Sequence, residues 1–214
     1  MKHVTRRWMA VLLGVALLLT AIAGHAAPDP KEAQELLERK TEQMLEVLRD
    51  EARDGEIDIE RMREQLSDII LPHLDFVTMT KLAVGRHWRD ATDDQKRALV
   101  REFRSLLVRT YTQSLEEYDN QKLEFLPLRP SPHEDRVKVR SRVIQANGPE
   151  IPVVYSLRHH QDEWSIYDIQ IDGVSLVTTY RSTFSSEIQA GGIAGLIERL
   201  QKKNANNEVG QTPS

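Results

Sequence analysis

The 214-residue sequence contains no cysteine. Disulfide bonds, thiolate metal sites and lipid anchors on an N-terminal cysteine are therefore excluded. The sequence also has no Gly-x-Ser-x-Gly nucleophile elbow, no phosphate-binding P-loop, no dinucleotide fingerprint and no His-Glu-x-x-His zinc motif. Stability must come from ordinary packing, and none of these common enzyme chemistries is indicated.

The remaining histidines and acids are poorly placed for catalysis. His159 and His160 are adjacent in a predicted strand, and since neighbouring strand residues point to opposite faces, the two cannot easily share one metal ion. Asp168 is the one acid predicted near the interior of the sheet. We interpret it as a carboxylate that accepts hydrogen bonds from backbone or arginine groups, the alternative being a general base.

The charge balance is acidic. The 33 Asp and Glu against 29 Lys and Arg give a net charge of −4, which disfavours binding to nucleic acid. Lys81, Arg86 and Arg89 lie near a predicted helix end beside apolar residues and are candidates for contact with anionic head groups. The charged run at 96–104 is interpreted as the solvated face of an amphipathic helix.

The N-terminus has the three-part layout of a secretory signal. Lys2, Arg6 and Arg7 precede an uncharged apolar run over residues 8–23, and Gly-His-Ala at 24–26 supplies the small residues of a cleavage site. The run is short for a membrane span, which needs about 20 apolar residues, although an uncleaved anchor is the alternative. Residues 1–26 are therefore predicted to be a signal peptide, and export is predicted.

Cleavage would leave 188 of the 214 residues with a net charge of about −7, because the signal carries three positive charges. This length suits one domain, which we place at residues 27–203. The polar residues 204–214 are predicted to be a disordered tail.

The first half of the mature chain is predicted to be helical. Apolar residues at helical spacing predict a helix from Pro30 to about residue 53 and a second helix over 59–70. Pro72 interrupts the pattern, which restarts at residue 74 and ends at Gly85. The Thr-Asp-Asp-Gln capping box at 92–95 opens a fourth, long helix.

The second half alternates apolar and polar residues with the period of strands. Strands are predicted over 137–143, 151–157 and 164–171, with a further strand at 123–128 and turns at 147–148, 161–163 and 172–173. Trp164 and Ile166 share one parity while Ile169 and Ile171 share the other, which indicates a β-bulge or a strand buried on both sides. Helical periodicity returns over 174–188, breaks at Gly191-Gly192, and resumes over 193–203.

These elements predict an α+β fold. A twisted antiparallel sheet of about four strands should form a half-cone, with helices from before and after it covering one face. Whether side chains fill the half-cone or leave it hollow decides what the protein can bind.

Two stretches resemble the MlaC family, also called the toluene-tolerance family of periplasmic phospholipid-binding proteins. The first is Leu-Pro-His-Leu-Asp-Phe at 71–76, continuing through Leu82, Gly-Arg-His-Trp-Arg at 85–89 and Gln95 into the apolar pattern at 103–111. The second is Trp-Ser-Ile-Tyr-Asp at 164–168, followed by Asp-Gly-Val-Ser-Leu-Val at 172–177, Tyr180-Arg181, Phe184 and the glycine-containing stretch 191–200. With the export signal, the resemblance spans nearly the whole mature chain in order.

The resemblance implies a periplasmic carrier with a fold comparable to nuclear-transport-factor-like cones. Such a protein would hold the acyl chains of a phospholipid as cargo and use no other cofactor. It would shuttle lipid between an outer-membrane lipoprotein–porin complex and an inner-membrane ABC transporter with MCE domains, which maintains outer-membrane lipid asymmetry. The family supplies no catalytic residues.

The pocket implied by the resemblance is apolar, and strand parity and helix faces select its candidate lining here. One wall is formed by residues of the predicted sheet: Val139, Val153, Tyr155, Trp164 and Ile166. The other is formed by residues of the predicted helices: Leu74, Val77, Leu107, Tyr111, Val177, Tyr180 and Phe184. For each residue the alternative is plain core packing.

Two other functions stay open on the residues alone. The first is a cone-fold enzyme with Asp168 as general base and Tyr155 or Tyr167 as hydrogen-bond donor. The second is a periplasmic adaptor that binds only proteins through its helical first half.

Overall fold

The computed structural model describes residues 28–54, 59–113, 121–129, 135–145 and 148–205. The predicted signal peptide, Asn147 of the predicted hairpin turn and most of the predicted tail lie outside the described residues. No helix within the described ranges is long and apolar enough to span a bilayer.

Five α-helices are described, and they agree with the sequence predictions except at the starts of the third and fifth, each of which begins two residues later than predicted. They are α1 (Pro30–Asp54), α2 (Ile59–Ile70), α3 (Phe76–Val84), α4 (Asp93–Gln113) and α5 (Leu176–Ala205). Short 3₁₀ turns at Leu71–His73 and Gly85–Arg89 flank α3, the first of them at the predicted Pro72 interruption. The predicted break in α5 is a kink at Gly192, whose φ of 67° suits glycine.

Side-chain caps fix where two of these helices begin. The capping box before α4 is confirmed, since the Gln95 amide donates to Oγ1 of Thr92 at 3.2 Å and the Thr92 amide to Oε1 of Gln95 at 3.0 Å. At α1, the Lys31 amide donates to Oδ1 of Asp29 at 2.9 Å.

The sheet has five antiparallel strands in chain order. They are β1 (Lys122–Phe125), β2 (Arg136–Ile144), β3 (Ile151–His160), β4 (Glu163–Ile171) and β5 (Val174–Ser175). The turns that close β3–β4 and β4–β5 each hold two residues with positive φ, as right-handed strand twist favours. The predicted α+β fold with an antiparallel sheet is confirmed.

The β4–β5 pair corrects one boundary. Helical periodicity predicted a helix from Val174, but Val174 and Ser175 pair with Ile171 and Gln170, so α5 begins only at Leu176. The sheet therefore has one strand more than predicted, because a two-residue strand carries no alternation that a sequence pattern can reveal.

The parity change in β4 is a β-bulge. Leu157 of β3 pairs with Ile166, whereas the preceding Ser156 pairs with Asp168, which leaves Tyr167 as the extra residue. Because one residue is added, Ile169 lies on the same face as Ile166, and it packs against the same buried cluster.

The helices cover one face of the sheet and form two main cores. The larger lies between α3, α4 and α5, where the ring of Phe103 meets the rings of Tyr180 and Phe184 edge-on, each at 5.1 Å between centroids. The second lies between Ala33 and Leu37 of α1 and the buried face of the sheet.

A local network ties the start of α3 to the sheet. Oδ1 of Asp75 accepts from the Thr78 amide at 2.9 Å and caps the helix, while Oδ2 lies 2.6 Å from Nε of Arg158 on β3. The Asp75 amide donates to the carbonyl of Ile166 at 2.8 Å. Asp75 thereby fixes α3 relative to β3 and β4.

Candidate functional site

An apolar cavity of about 310 Å³ lies where α1–α4 meet the ends of β4 and α5. Its lining comes from six helices and strands and from the turn before α3: Met44, Leu66, Ser67, Ile70, Leu71, Leu74, Phe76, Met79, Leu107, Val108, Tyr111, Ile169, Ile171 and Leu176. Ile171 is 39% exposed, so the cavity reaches the surface beside the end of β4.

The lining is almost entirely hydrocarbon. Twelve of its fourteen side chains are aliphatic, phenyl or thioether, and only Ser67 and Tyr111 bring a polar side-chain atom. Burial, with a smaller contribution from Tyr180, raises the pKa of Tyr111 to about 12, so its hydroxyl is neutral at physiological pH. A cavity with this lining favours an apolar ligand and provides no charged group for catalysis.

The fold explains why so many elements reach the cavity. The Asp75 network holds Leu74 and Phe76, which flank Asp75 in the chain, at one wall. The bulge at Tyr167 turns Ile169 and Ile171 toward the helices at another wall.

Three of the twelve residues predicted to line a pocket do line this cavity: Leu74, Leu107 and Tyr111. Val177, Tyr180 and Phe184 are buried in the core around Phe103, and Val139, Tyr155, Trp164 and Ile166 belong to the core under α1. Val153 is buried in the sheet, and Val77 is 55% exposed on the outer side of α3. Parity and helix faces identify buried positions, but they do not separate positions packed against protein from positions that face a void.

The prediction omits eleven of the fourteen lining residues, and five of these belong to α2 and the end of β4: Leu66, Ser67, Ile70, Ile169 and Ile171. Leu66 and Ile70, four residues apart, belong to the apolar spacing that predicts α2, but neither predicted wall of the pocket includes a residue of this helix. Ile169 and Ile171 carry a usable signal, because the parity change before them indicated the bulge that brings them to the helix-covered face.

Asp168 has structural hydrogen bonds. Its Oδ1 accepts from Oγ of Ser175 at 2.9 Å and from the Val177 amide at 3.3 Å, which holds β5 and the first turn of α5 against β4. His159 stacks edge-on against Trp164 at 5.2 Å between ring centroids. Across the residues with described positions, no group of three or more His, Cys, Asp or Glu side chains is arranged to hold a metal ion.

The family model described as "MlaC protein" matches residues 38–202. The chain belongs to the MlaC family. The match begins in α1 and ends in α5, so it includes every element that lines the cavity. The resemblance at 71–111 and 164–200 is thereby confirmed.

Curated relatives and a solved structure agree with the MlaC assignment. The toluene tolerance protein ttg2D of Pseudomonas putida is 25% identical over 193 residues, covering 90% of this chain and 86% of that protein. The intermembrane phospholipid transport system binding protein MlaC of Haemophilus influenzae is 23% identical over 144 residues, covering 66% and 67% of the two chains.

The solved structure is a phospholipid-binding protein from Ralstonia solanacearum in complex with a phospholipid. It is 32% identical to this chain, with a TM-score of 0.71, and the match covers 81% of this chain and 97% of that one.

Proposed function

We propose that this MlaC-family protein binds phospholipid and carries it through the periplasm between the outer and inner membranes. This transport would maintain the lipid asymmetry of the outer membrane. The observation that carries the proposal is the hydrocarbon-lined cavity, together with the phospholipid complex of the Ralstonia relative. The signal-like residues 1–26 support a periplasmic location.

The energetics of transfer explain why a carrier needs such a cavity. Two acyl chains contain on the order of 30 methylenes, each costing ~0.8 kcal/mol to expose to water. Free passage would therefore cost on the order of 25 kcal/mol, an upper bound because the chains collapse on one another. A lining of apolar side chains removes that cost without any catalytic group.

The volume of the cavity affects how the protein would take up the acyl chains of a phospholipid. About 310 Å³ lies at the lower end of the range for small-molecule pockets. We expect the helices around the cavity to move apart when it takes up two acyl chains. Met44 of α1 and Ile70 of α2 are half-buried lining residues on the two helices we expect to move.

The proposed partners are an inner-membrane ABC transporter with MCE domains and an outer-membrane lipoprotein–porin complex. Support comes from family membership and from the naming of the Haemophilus relative as part of an intermembrane phospholipid transport system. We propose no catalytic role for Asp168, since its carboxylate is engaged at the start of α5.

The decisive experiment is native mass spectrometry and lipid extraction on protein exported to the periplasm and purified without detergent. Wild type is expected to retain phospholipid. Val108→Trp, which places an indole into the cavity, is expected to lose most of it, whereas Val77→Trp on the exposed side of α3 should retain the wild-type amount. Thermal unfolding of both variants checks that they fold.

Two results would count against the carrier. One is a folded wild-type protein that emerges empty of lipid, which would favour an adaptor that binds only proteins. The other is equal lipid content in the two tryptophan variants, which would place the lipid outside this cavity.

A further inference from the structure

A second, polar cleft lies at the other end of α3. It has a volume of about 330 Å³ and is lined by residues of the turn after α3 and of one face of α5: Val84, Gly85, Arg86, His87, Arg181 and Ser185. No acidic side chain is among them. The proposed carriage of lipid makes no use of this cleft.

Gly85 shapes the cleft. It ends α3 with a φ of 63°, a conformation that side chains disfavour. A Cβ at this position would lie 3.3 Å from Nε and 3.5 Å from one terminal nitrogen of Arg181, so the guanidinium of Arg181 rests directly against the glycine. Ser185 follows Arg181 by one helical turn and therefore faces the same cleft.

The cationic groups of the cleft lack carboxylate partners. Within the described ranges neither Arg86 nor Arg181 forms an ion pair, although Arg142 and Arg158 each do. The chain as a whole carries a net charge of −4, so two guanidinium groups that line one cleft without carboxylate partners form a local positive field.

His87 also lines the cleft, but its Nε2 is buried, so a ligand in the open cleft meets the cationic groups of Arg86 and Arg181 and not this nitrogen.

We propose that this cleft is a phosphate-binding site. Two guanidinium forks and a hydroxyl line the cleft as hydrogen-bond donors, and the charged non-bridging oxygens of a phosphate group accept such hydrogen bonds. Guanidinium groups also match phosphate oxygens in bidentate geometry. The phosphate comes from a lipid head group at a membrane surface or from free phosphate.

The site is separate from the apolar cavity. Met79 in the middle of α3 lines the cavity and Val84 at its end lines the cleft; five residues of α-helix span about 7.5 Å, and the two sites share no lining residue. Phosphate binding therefore does not depend on the proposed carriage of lipid, and either can fail without the other.

The first test titrates the full chain with inorganic phosphate at constant ionic strength, with chloride as the balancing anion. Amide and imidazole NMR signals of Gly85, His87 and Arg181 should shift together and saturate. Arg86→Gln and Arg181→Gln should each weaken the affinity about tenfold or more, as expected for one lost charge-assisted hydrogen bond. Arg97→Gln on α4, outside the cleft, is the matched control and should leave the affinity within about twofold of wild type.

Three outcomes overturn the proposal: shifts that do not saturate, an equal loss in Arg97→Gln, and tighter binding of acetate than of phosphate. The last would assign the cleft to carboxylates of an acidic protein. Thermal unfolding of each variant, with and without phosphate, separates a lost site from a lost fold, because only a protein with an intact site is stabilised by the anion.

The second test identifies the source of the phosphate. Vesicles of phosphatidylcholine with or without phosphatidylglycerol are sedimented with the Val108→Trp protein, so that uptake of cargo does not contribute. Both lipids carry a phosphodiester, so sedimentation with either vesicle that needs Arg181, and that inorganic phosphate competes away, assigns the site to head groups at a membrane. Saturable binding of inorganic phosphate without such sedimentation assigns it to the free anion.

Discussion

Asp75→Ala is expected to loosen α3 from the sheet and, with it, one wall of the cavity. The carboxylate of Asp75 both caps α3, through the Thr78 amide at 2.9 Å, and pairs with Arg158 at 2.6 Å. The residues on either side of it in the chain, Leu74 and Phe76, line the cavity. One substitution therefore tests the connection between packing and binding.

The magnitude follows from the two contacts. Loss of a helix N-cap costs about 1 kcal/mol. Removal of one partner from a fully buried ion pair costs about 3–5 kcal/mol, but the Arg158 side chain is 34% exposed and keeps part of its hydration, so we take ~1–2 kcal/mol for this pair. The free energy of unfolding should fall by about 2–3 kcal/mol in Asp75→Ala. In Asp75→Asn, which keeps an acceptor for the cap, it should fall by ~1–2 kcal/mol.

Urea denaturation measures these differences. With an m-value of about 2 kcal/mol/M, the midpoint of Asp75→Ala should lie ~1–1.5 M below that of wild type. A double-mutant cycle with Arg158→Gln isolates the ion pair and should give a coupling energy of ~1–2 kcal/mol. A coupling near zero, or equal midpoints for Asp75→Ala and Asp75→Asn, would refute the division into cap and ion pair. A lipid content unchanged in Asp75→Ala would refute the connection to the cavity.

Two further predictions concern α4. Thr92→Ala removes the acceptor for the Gln95 amide and should lower the free energy of unfolding by about 1 kcal/mol, whereas Thr92→Ser should keep most of it; equal losses in urea denaturation would contradict the capping role. Burial raises the pKa of Tyr111 from 10 to about 12. Between pH 10 and 12 the folded state therefore binds more protons than the unfolded state, and the free energy of unfolding should fall as pH rises through this range. Burial also raises the pKa of Tyr155 and Tyr180, so Tyr111→Phe should reduce this fall without abolishing it. In a titration monitored by phenolate absorbance, Tyr111→Phe should lack the phenol that ionises near pH 12. Loss of a phenol that ionises near pH 10 would contradict the raised pKa of Tyr111.

Local sequence patterns predicted the elements well where the cause is local. The capping box at Thr92 and Gln95, the helix end at Gly85 and the turn at Asp172-Gly173 depend on the conformational preferences of a few neighbouring residues. The parity change in β4 similarly indicated the bulge at Tyr167. β5 was missed because its two residues are strand only through their pairing with Ile171 and Gln170.

The candidate site was predicted less completely, for a different reason. Val177, Phe184 and Leu107 have the same apolar character and helical spacing, and all three belong to the core around Phe103, yet of the three Leu107 alone also lines the cavity. The difference depends on which partner each side chain meets across the interface. Such a contact involves residues far apart in the chain, and no periodicity encodes it.

The sequence by itself determined the element types, the α+β class, the family and the apolar chemistry of any interior site, because these depend on composition, spacing and motif. Only the tertiary structure decided where the interior is hollow and where two arginines far apart in the chain, Arg86 and Arg181, line one cleft. Both depend on how closely packed helices approach one another in space, which is a property of the assembled fold and not of any single segment.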